Sequence, residues 1–123
     1  MATRVLTVVG KYHSRVTEYN GRTFASKAEA HRAQELELLE KAGEIKGLQY
    51  QPEYTLMPAF EYKGKNIKRI IYKADFCYTD NITGDYIVED VKGFSTPMWK
   101  LKQKMFWHVF RHNPHIELRV VKP

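Results

Sequence analysis

The triplet Asp90-Val91-Lys92, together with the acid of Tyr72-Lys73-Ala74-Asp75-Phe76, holds the residues of this chain best suited to chemistry. Side chains two apart on a strand leave the same face, so Asp90 and Lys92 project together while Glu89 and Val91 take the other side. A carboxylate beside an ammonium, with a second carboxylate on the neighbouring strand, suits metal-assisted hydrolysis of a phosphodiester. That reaction needs an activated water, neutralised phosphoryl oxygens and help for a departing alkoxide, and a cation held by carboxylates supplies all three. Mg²⁺ is the expected ion, with Mn²⁺ as its substitute, because Mg²⁺ prefers oxygen ligands and is commonly anchored by one or two carboxylates plus substrate phosphate. Lys92 would orient or deprotonate the water, or hold a fixed charge against the transition state. The competing reading is an ordinary ion pair, of Asp75 with Lys73 or Lys92 and of Asp90 with Lys92. Against it, Asp75 sits in an otherwise apolar and aromatic strand, where an uncompensated carboxylate would cost roughly several kcal/mol.

The elements that must position these groups follow from pattern. Arg15–Tyr19 and Arg22–Phe24 flank the turn dipeptide Asn20-Gly21 and predict a small hairpin. The ten residues before it are ambiguous, and no role is read for Met1 to Lys11. Ser26 opens a helix through Ala28, Ala30, Ala33, Leu36 and Leu39, closed by Gly43 or Gly47. Leu48 to Met57 reads as a strand, and Phe60 to Tyr62 leads to the turn-prone Lys63-Gly64-Lys65-Asn66. One strand is expected from about Ile67 to Thr79, with Tyr72, Ala74, Phe76 and Tyr78 on one face and Lys73, Asp75 and Cys77 on the other. Asp80 to Asp85 is a hairpin connection, so Tyr86–Val91 should run antiparallel beside that strand and bring Asp90 next to Asp75. Thr96 as cap and Pro97 at the first position start a helix to about His112, and His115–Val121 forms the last strand. The expected class is α+β: a mixed central sheet flanked by helices, in one domain over residues 1–123, with 1–24 as an N-terminal extension.

Glu29 is the third candidate ligand, with a competing role. Ser26 and Glu29 fit a capping box, in which the glutamate accepts from the Ser26 backbone N–H. It also aligns with Ala33 and Leu36 on the packed side of the helix, which favours metal ligation or support of a ligand. Twenty Lys and Arg against fourteen Asp and Glu leave a net charge of +6, the electrostatic footprint of a protein that meets a polyphosphate. Lys63, Lys65, Lys68, Arg69 and Lys73 crowd one turn and strand, while Lys100, Lys104 and Arg111 recur at helical spacing. These are candidates for DNA backbone contact, against the alternative of solvated surface charge.

Other features carry less. His108 and His112 have the spacing of a metal pair but lack companion ligands. Tyr72, Phe76 and Tyr78 read as sheet core, and Cys77, the one cysteine, as a small buried thiol that excludes an internal disulfide and fits a reducing cytoplasm. No glycine-rich phosphate loop is present, so no nucleotide cofactor is expected. The apolar run Val5 to Val9 is too short to span a bilayer, so no membrane association is expected.

Phe24-Ala25-Ser26-Lys27-Ala28-Glu29-Ala30, Leu39-Glu40-Lys41-Ala42-Gly43-Glu44-Ile45, Gln51-Pro52, Tyr72-Lys73-Ala74-Asp75-Phe76 and Glu89-Asp90-Val91-Lys92-Gly93 together resemble a small phage and prophage family. Its motifs join it to the PD-(D/E)XK nuclease superfamily, and the resemblance runs from about Tyr12 onward. It implies an αβββαβ core and Mg²⁺-dependent DNA cleavage. By position, Glu29 is similar to the first-helix acid, Asp75 and Asp90 to the two motif acids, and Lys92 to the motif lysine. Ala74 replaces the name-giving proline, which removes no ligand. Related enzymes often cut branched DNA such as Holliday junctions, so a structure-selective endonuclease of phage recombination or replication, working as a homodimer, is the leading expectation. The alternatives are a nicking or weakly selective nuclease, and a binding or regulatory protein that keeps the fold without turnover.

Overall fold

The computed structural model describes residues 5–9 and 15–123, with side chains from Val16 onward; residues 1–4 and 10–14 lie outside the described residues. The chain runs β1 (Val5–Val9), β2 (Arg15–Tyr19), β3 (Arg22–Phe24), α1 (Lys27–Lys41), β4 (Ile45–Tyr50), β5 (Glu53–Met57), β6 (Phe60–Tyr62), β7 (Lys65–Ile67), β8 (Ile70–Lys73), β9 (Phe76–Asp80), β10 (Tyr86–Val91), α2 (Pro97–Val109) and β11 (Ile116–Val121). The expected hairpin is β2–β3, with Asn20 and Gly21 both at positive φ as a tight two-residue turn demands. β1 pairs antiparallel with β2 and makes this a three-stranded sheet.

The main sheet has the order β11-β10-β9-β4. β10 is parallel to β11 and antiparallel to β9, and β4 is antiparallel to β9. With the helices, these strands give the sequence α1, β4, β9, β10, α2, β11, the expected αβββαβ order in a mixed α+β fold. An arm is inserted between β4 and β9: β5 pairs with β8, and beyond it β6 pairs with β7.

That arm overturns two expectations. Leu48 to Met57 is not one strand, because Gln51 turns to φ +52 and Pro52 follows, which breaks the run into β4 and β5. Ile67 to Thr79 is likewise divided, with Ala74 and Asp75 forming the break between β8 and β9. The two interruptions face each other: the Gln51 N–H donates to the Asp75 carbonyl at 2.9 Å and the Ala74 N–H to the Pro52 carbonyl at 3.1 Å. The break also divides the face expected for Tyr72, Ala74, Phe76 and Tyr78. Phe76 and Tyr78 join Ala30, Ala33, Leu36 and Ile87 in one core, whereas Tyr72 and Ala74 join Leu56, Val88 and Phe106 in another. All four are buried, as is Cys77.

Helix α1 begins where Ser26 Oγ accepts from the Glu29 N–H at 3.1 Å, and it ends at Gly43, not Gly47. Its buried stripe of Glu29, Ala30, Ala33 and Leu36 follows helical periodicity, and the small alanines let it lie close to the sheet. Helix α2 starts as expected, with Thr96 Oγ1 accepting from the Trp99 N–H at 3.1 Å and Pro97 in the first turn. It stops at Val109 and not near His112, with Phe110 as the cap and a turn closed by the Asn113 N–H on the Phe110 carbonyl. Arg111 and His112 therefore leave the helix, so the basic spacing is helical only for Lys100 and Lys104, and the His108–His112 pair is not helical. Trp99, Met105 and Phe110 flank Phe106 in the second core, where its ring meets Tyr54 and Tyr72 edge-on at 5.6 and 5.7 Å.

Candidate functional site

The strand break builds the site. The register that sets Glu89 opposite Phe76 brings Asp90 opposite Asp75 one step further on. The Asp75 N–H, freed from a regular ladder, donates to the Glu89 carbonyl at 3.1 Å and to Asp90 Oδ1 at 3.2 Å. Asp75 Oδ2 in turn accepts from the Val91 N–H at 2.7 Å. Each carboxylate thus accepts from a backbone N–H of the opposite strand segment across the break. Alternation along β10 is as expected: Ile87 and Glu89 face α1, while Val88 and Asp90 face α2.

Asp90 is buried, and its second oxygen, Oδ2, accepts from the Trp99 indole N–H at 3.0 Å. Burial pushes its carboxyl above the usual range, opposed by the Trp99 N–H, the Lys92 charge and the Asp75 N–H. Lys92 follows the last residue of β10, is half-buried, and holds Nζ 5.8 Å from the centre of the Trp99 ring. Neither Asp75 nor Asp90 forms an ion pair within 4.0 Å among the described residues, so the simple ion-pair reading is not what holds them.

Glu29 reaches the same place from α1. It does not close the expected capping box on Ser26; its Oε2 accepts from the Ala25 N–H, one residue earlier, at 2.9 Å. Its carboxyl is hydrogen-bonded to that of Asp75 and lies in the field of Asp90. Burial, then the Asp75 hydrogen bond and charge, push it up to about 8, with the Ala25 N–H pulling the other way. Burial and the neighbouring Asp75 thus favour the protonated form of Glu29.

These groups suit a hard divalent cation in donor chemistry. Three carboxyls converge, two of them buried, and the largest penalty on them is the cost of holding negative charge out of water. Asp75, only half-buried, is the member open to solvent. No ready-made cage exists: among the described residues no three His, Cys, Asp or Glu side chains are grouped closely enough to enclose an ion. Asp75 and Asp90 are the two carboxylates that could anchor such an ion, with Glu29 beside Asp75.

Two flanking features escaped sequence reasoning. Glu89, fully buried beside Asp90, takes a two-pronged bond from Arg32, with Nε at 2.7 Å and Nη2 at 2.9 Å, and the Tyr78 hydroxyl donates to it at 2.7 Å. This clamps α1 onto β10 directly under the acids. Trp99 was equally hidden, because the only signal was an aromatic in the first turn of a helix. A cavity of about 340 Å³ opens between α1 and the ends of β10 and β11, with Lys27, His31 and Lys122 on its rim and Val91 in its wall.

The cationic candidates are all exposed but do not form one patch. Lys63 and Lys65 lie on β6–β7 and its turn, Lys68 and Arg69 on the link to β8, Lys73 on β8, and Lys100 and Lys104 on α2. Arg69 donates to Thr55 Oγ1 at 3.3 Å across the arm. Since α2 packs against β5, both groups border the arm.

An α+β domain with buried acids at a break in its central sheet is the class that fold and site define. The chain belongs to the family described as "Protein of unknown function (DUF1064)", which matches residues 9–122. No curated protein and no solved structure matches it. Among the described residues, no helix is long and apolar enough to cross a membrane.

Proposed function

We propose that this protein is a metal-dependent DNA endonuclease, acting in the cytoplasm on branched DNA. The observation that carries this reading is the meeting of Asp75 and Asp90 across the strand break, with Glu29 bonded to Asp75 and the Lys92 charge acting on Asp90. Mg²⁺, or Mn²⁺ in its place, held by Asp75 and Asp90 with Glu29 assisting, would supply an activated water and neutralise phosphoryl charge. Trp99 fixes the rotamer of Asp90, and the Val91 N–H fixes that of Asp75. Lys92 keeps a positive charge beside them, on the water or against the charge that builds on phosphorus. Water attacks phosphorus, the bond from phosphorus to the leaving oxygen breaks, and one of the water's protons passes to that oxygen, which departs as a hydroxyl, while the water's oxygen stays on phosphorus. Lys63, Lys65, Lys68, Arg69 and Lys73, with Lys100 and Lys104, hold backbone phosphates.

Symmetric cutting of a junction needs two sites, so the active species is a homodimer. The exposed flank of Met98 and Leu101 on α2, continued by Phe94 before it, offers apolar surface for a two-fold contact. Wild type, Asp75→Ala and Lys92→Ala, compared on a four-way junction, a linear duplex and single strands with Mg²⁺ and with EDTA, test the reading. Each substitution should lower junction cleavage at least about 100-fold, with EDTA abolishing it. Equal cleavage by all three proteins would remove the site, and binding without cleavage by wild type would favour a protein that keeps the fold without turnover.

A further inference from the structure

Among the described residues, the β6–β7 ribbon pairs with no further strand. It turns through Lys63 and Gly64 at φ +47 and +77, the type I′ geometry that closes a two-residue hairpin. Tyr62 stands opposite Lys65, Glu61 opposite Asn66 and Phe60 opposite Ile67. Opposed residues share a face and successive ones alternate, so Phe60, Tyr62, Lys65 and Ile67 form one face and Glu61 and Asn66 the other. That first face is aromatic and open: Phe60 is 46 % and Tyr62 58 % exposed, and neither joins a core cluster. The Lys63 ammonium lies 5.5 Å from the Tyr62 ring centre.

We infer that this ribbon binds DNA by stacking Phe60 and Tyr62 on unpaired bases, while Lys63, Lys65, Lys68 and Arg69 hold the flanking phosphates. The partner rests on the proposed nuclease reading; the mode of binding comes from the ribbon itself. Over residues 60–69 four cations face a single acid, Glu61, which suits a polyanion and disfavours a second copy of a chain that carries +6. An aromatic ring needs the flat face of a base, and a paired, stacked duplex hides those faces except at breaks and ends. Exposed rings interleaved with lysines are the surface that single strands bind. Chain length limits the ribbon's distance from the acids: Lys65, the partner of Tyr62, lies ten residues before Asp75, at most about 33 Å of extended chain. The unpaired bases would thus lie within roughly ten base pairs of the cut, at a spacing of about 3.4 Å per pair.

The test is fluorescence anisotropy in EDTA, which removes the metal the proposed cleavage needs, with a labelled single strand, a blunt duplex and a duplex carrying an unpaired bulge, each as DNA, and the same single strand as RNA. The double variant Phe60→Ala/Tyr62→Ala should bind the single strand and the bulge about 5- to 100-fold more weakly, with duplex binding changed by less than about 2-fold. Lys63→Ala/Lys65→Ala should weaken all three and lower the salt slope by about one per lysine removed. Circular dichroism should show both variants folded, since none of these side chains belongs to a core cluster. Three results would overturn the inference: unchanged binding by the aromatic variant, equal loss on every probe, or tighter binding of single-stranded RNA than of the bulged DNA. Selective binding by a wild type that fails to cut with Mg²⁺ would sink the nuclease reading and spare the ribbon. Cleavage with no effect of the aromatic variant would do the reverse.

Discussion

Glu29 concentrates the pH response of the site, because a carboxyl pushed up to about 8 keeps a proton in the fold that the unfolded chain, with an ordinary value of 4.5, gives up. Between those values the native state binds more protons than the unfolded state, so stability is highest on the acid side, falls as pH rises through the window, and levels off above it. Metal-free protein should lose on the order of a few kcal/mol between pH 5 and pH 8 by urea unfolding, and Glu29→Gln should flatten that dependence. A flat profile in the wild type would show that Glu29 is not proton-bearing. The same proton competes with a cation, so Mg²⁺ should raise the melting temperature more at pH 8 than at pH 6. Tyr72 offers a control of the opposite kind. Its hydroxyl is buried without a hydrogen-bond partner among the described residues, so Tyr72→Phe should be neutral or stabilising in a thermal melt.

At the scale of elements, the site depends on two interruptions that face each other, Gln51-Pro52 and Ala74-Asp75. At the break the Asp75 N–H keeps a bond to the Glu89 carbonyl and also donates to the Asp90 carboxylate. The acids are thereby held by backbone as well as by each other, and Asp90 needs α2 to supply Trp99. On the opposite face Arg32 joins α1 to β10 through a carboxylate that has no exposure to water. Arg32→Ala would leave Glu89 charged, buried and deprived of its cation. That should cost about 3 to 5 kcal/mol in chemical denaturation, with recovery when Glu89 is also replaced by an apolar residue. A loss below about 1 kcal/mol would mean that the pair adds nothing to the α1–β10 contact.

For the whole molecule, the placement of charge decides more than its sum. The net +6 is gathered on the arm and on one edge of α2, where Lys100 and Lys104 lie one turn apart. Met98 lies on the flank away from both lysines, while Leu101 sits between Met98 and Lys104. Met98→Glu should therefore convert a dimer to a monomer in sedimentation velocity while leaving binding of a short duplex nearly intact. A wild type that is monomeric at all concentrations would remove the two-fold proposal.

Periodicity and punctuation made most elements readable from sequence. Ser26 and Thr96 as caps, Asn20-Gly21 as a turn and the apolar run of β10 are local signals, and the αβββαβ order follows from them. The alternation that sends Asp90 and Glu89 to opposite faces is equally local, because it is built into the strand backbone. Pro52 does mark a stop in the first divided strand, since proline cannot donate to a ladder, whereas aromatic and β-branched residues flank Ala74-Asp75 without one. Only pairing across the sheet reveals that the two irregularities compensate each other. The convergence of Glu29 with Asp75, the indole on Asp90 and the Arg32–Glu89 clamp join residues far apart along the chain. Long-range packing decides such contacts, because side-chain type says what a group can bind and only the tertiary structure says what lies within its reach.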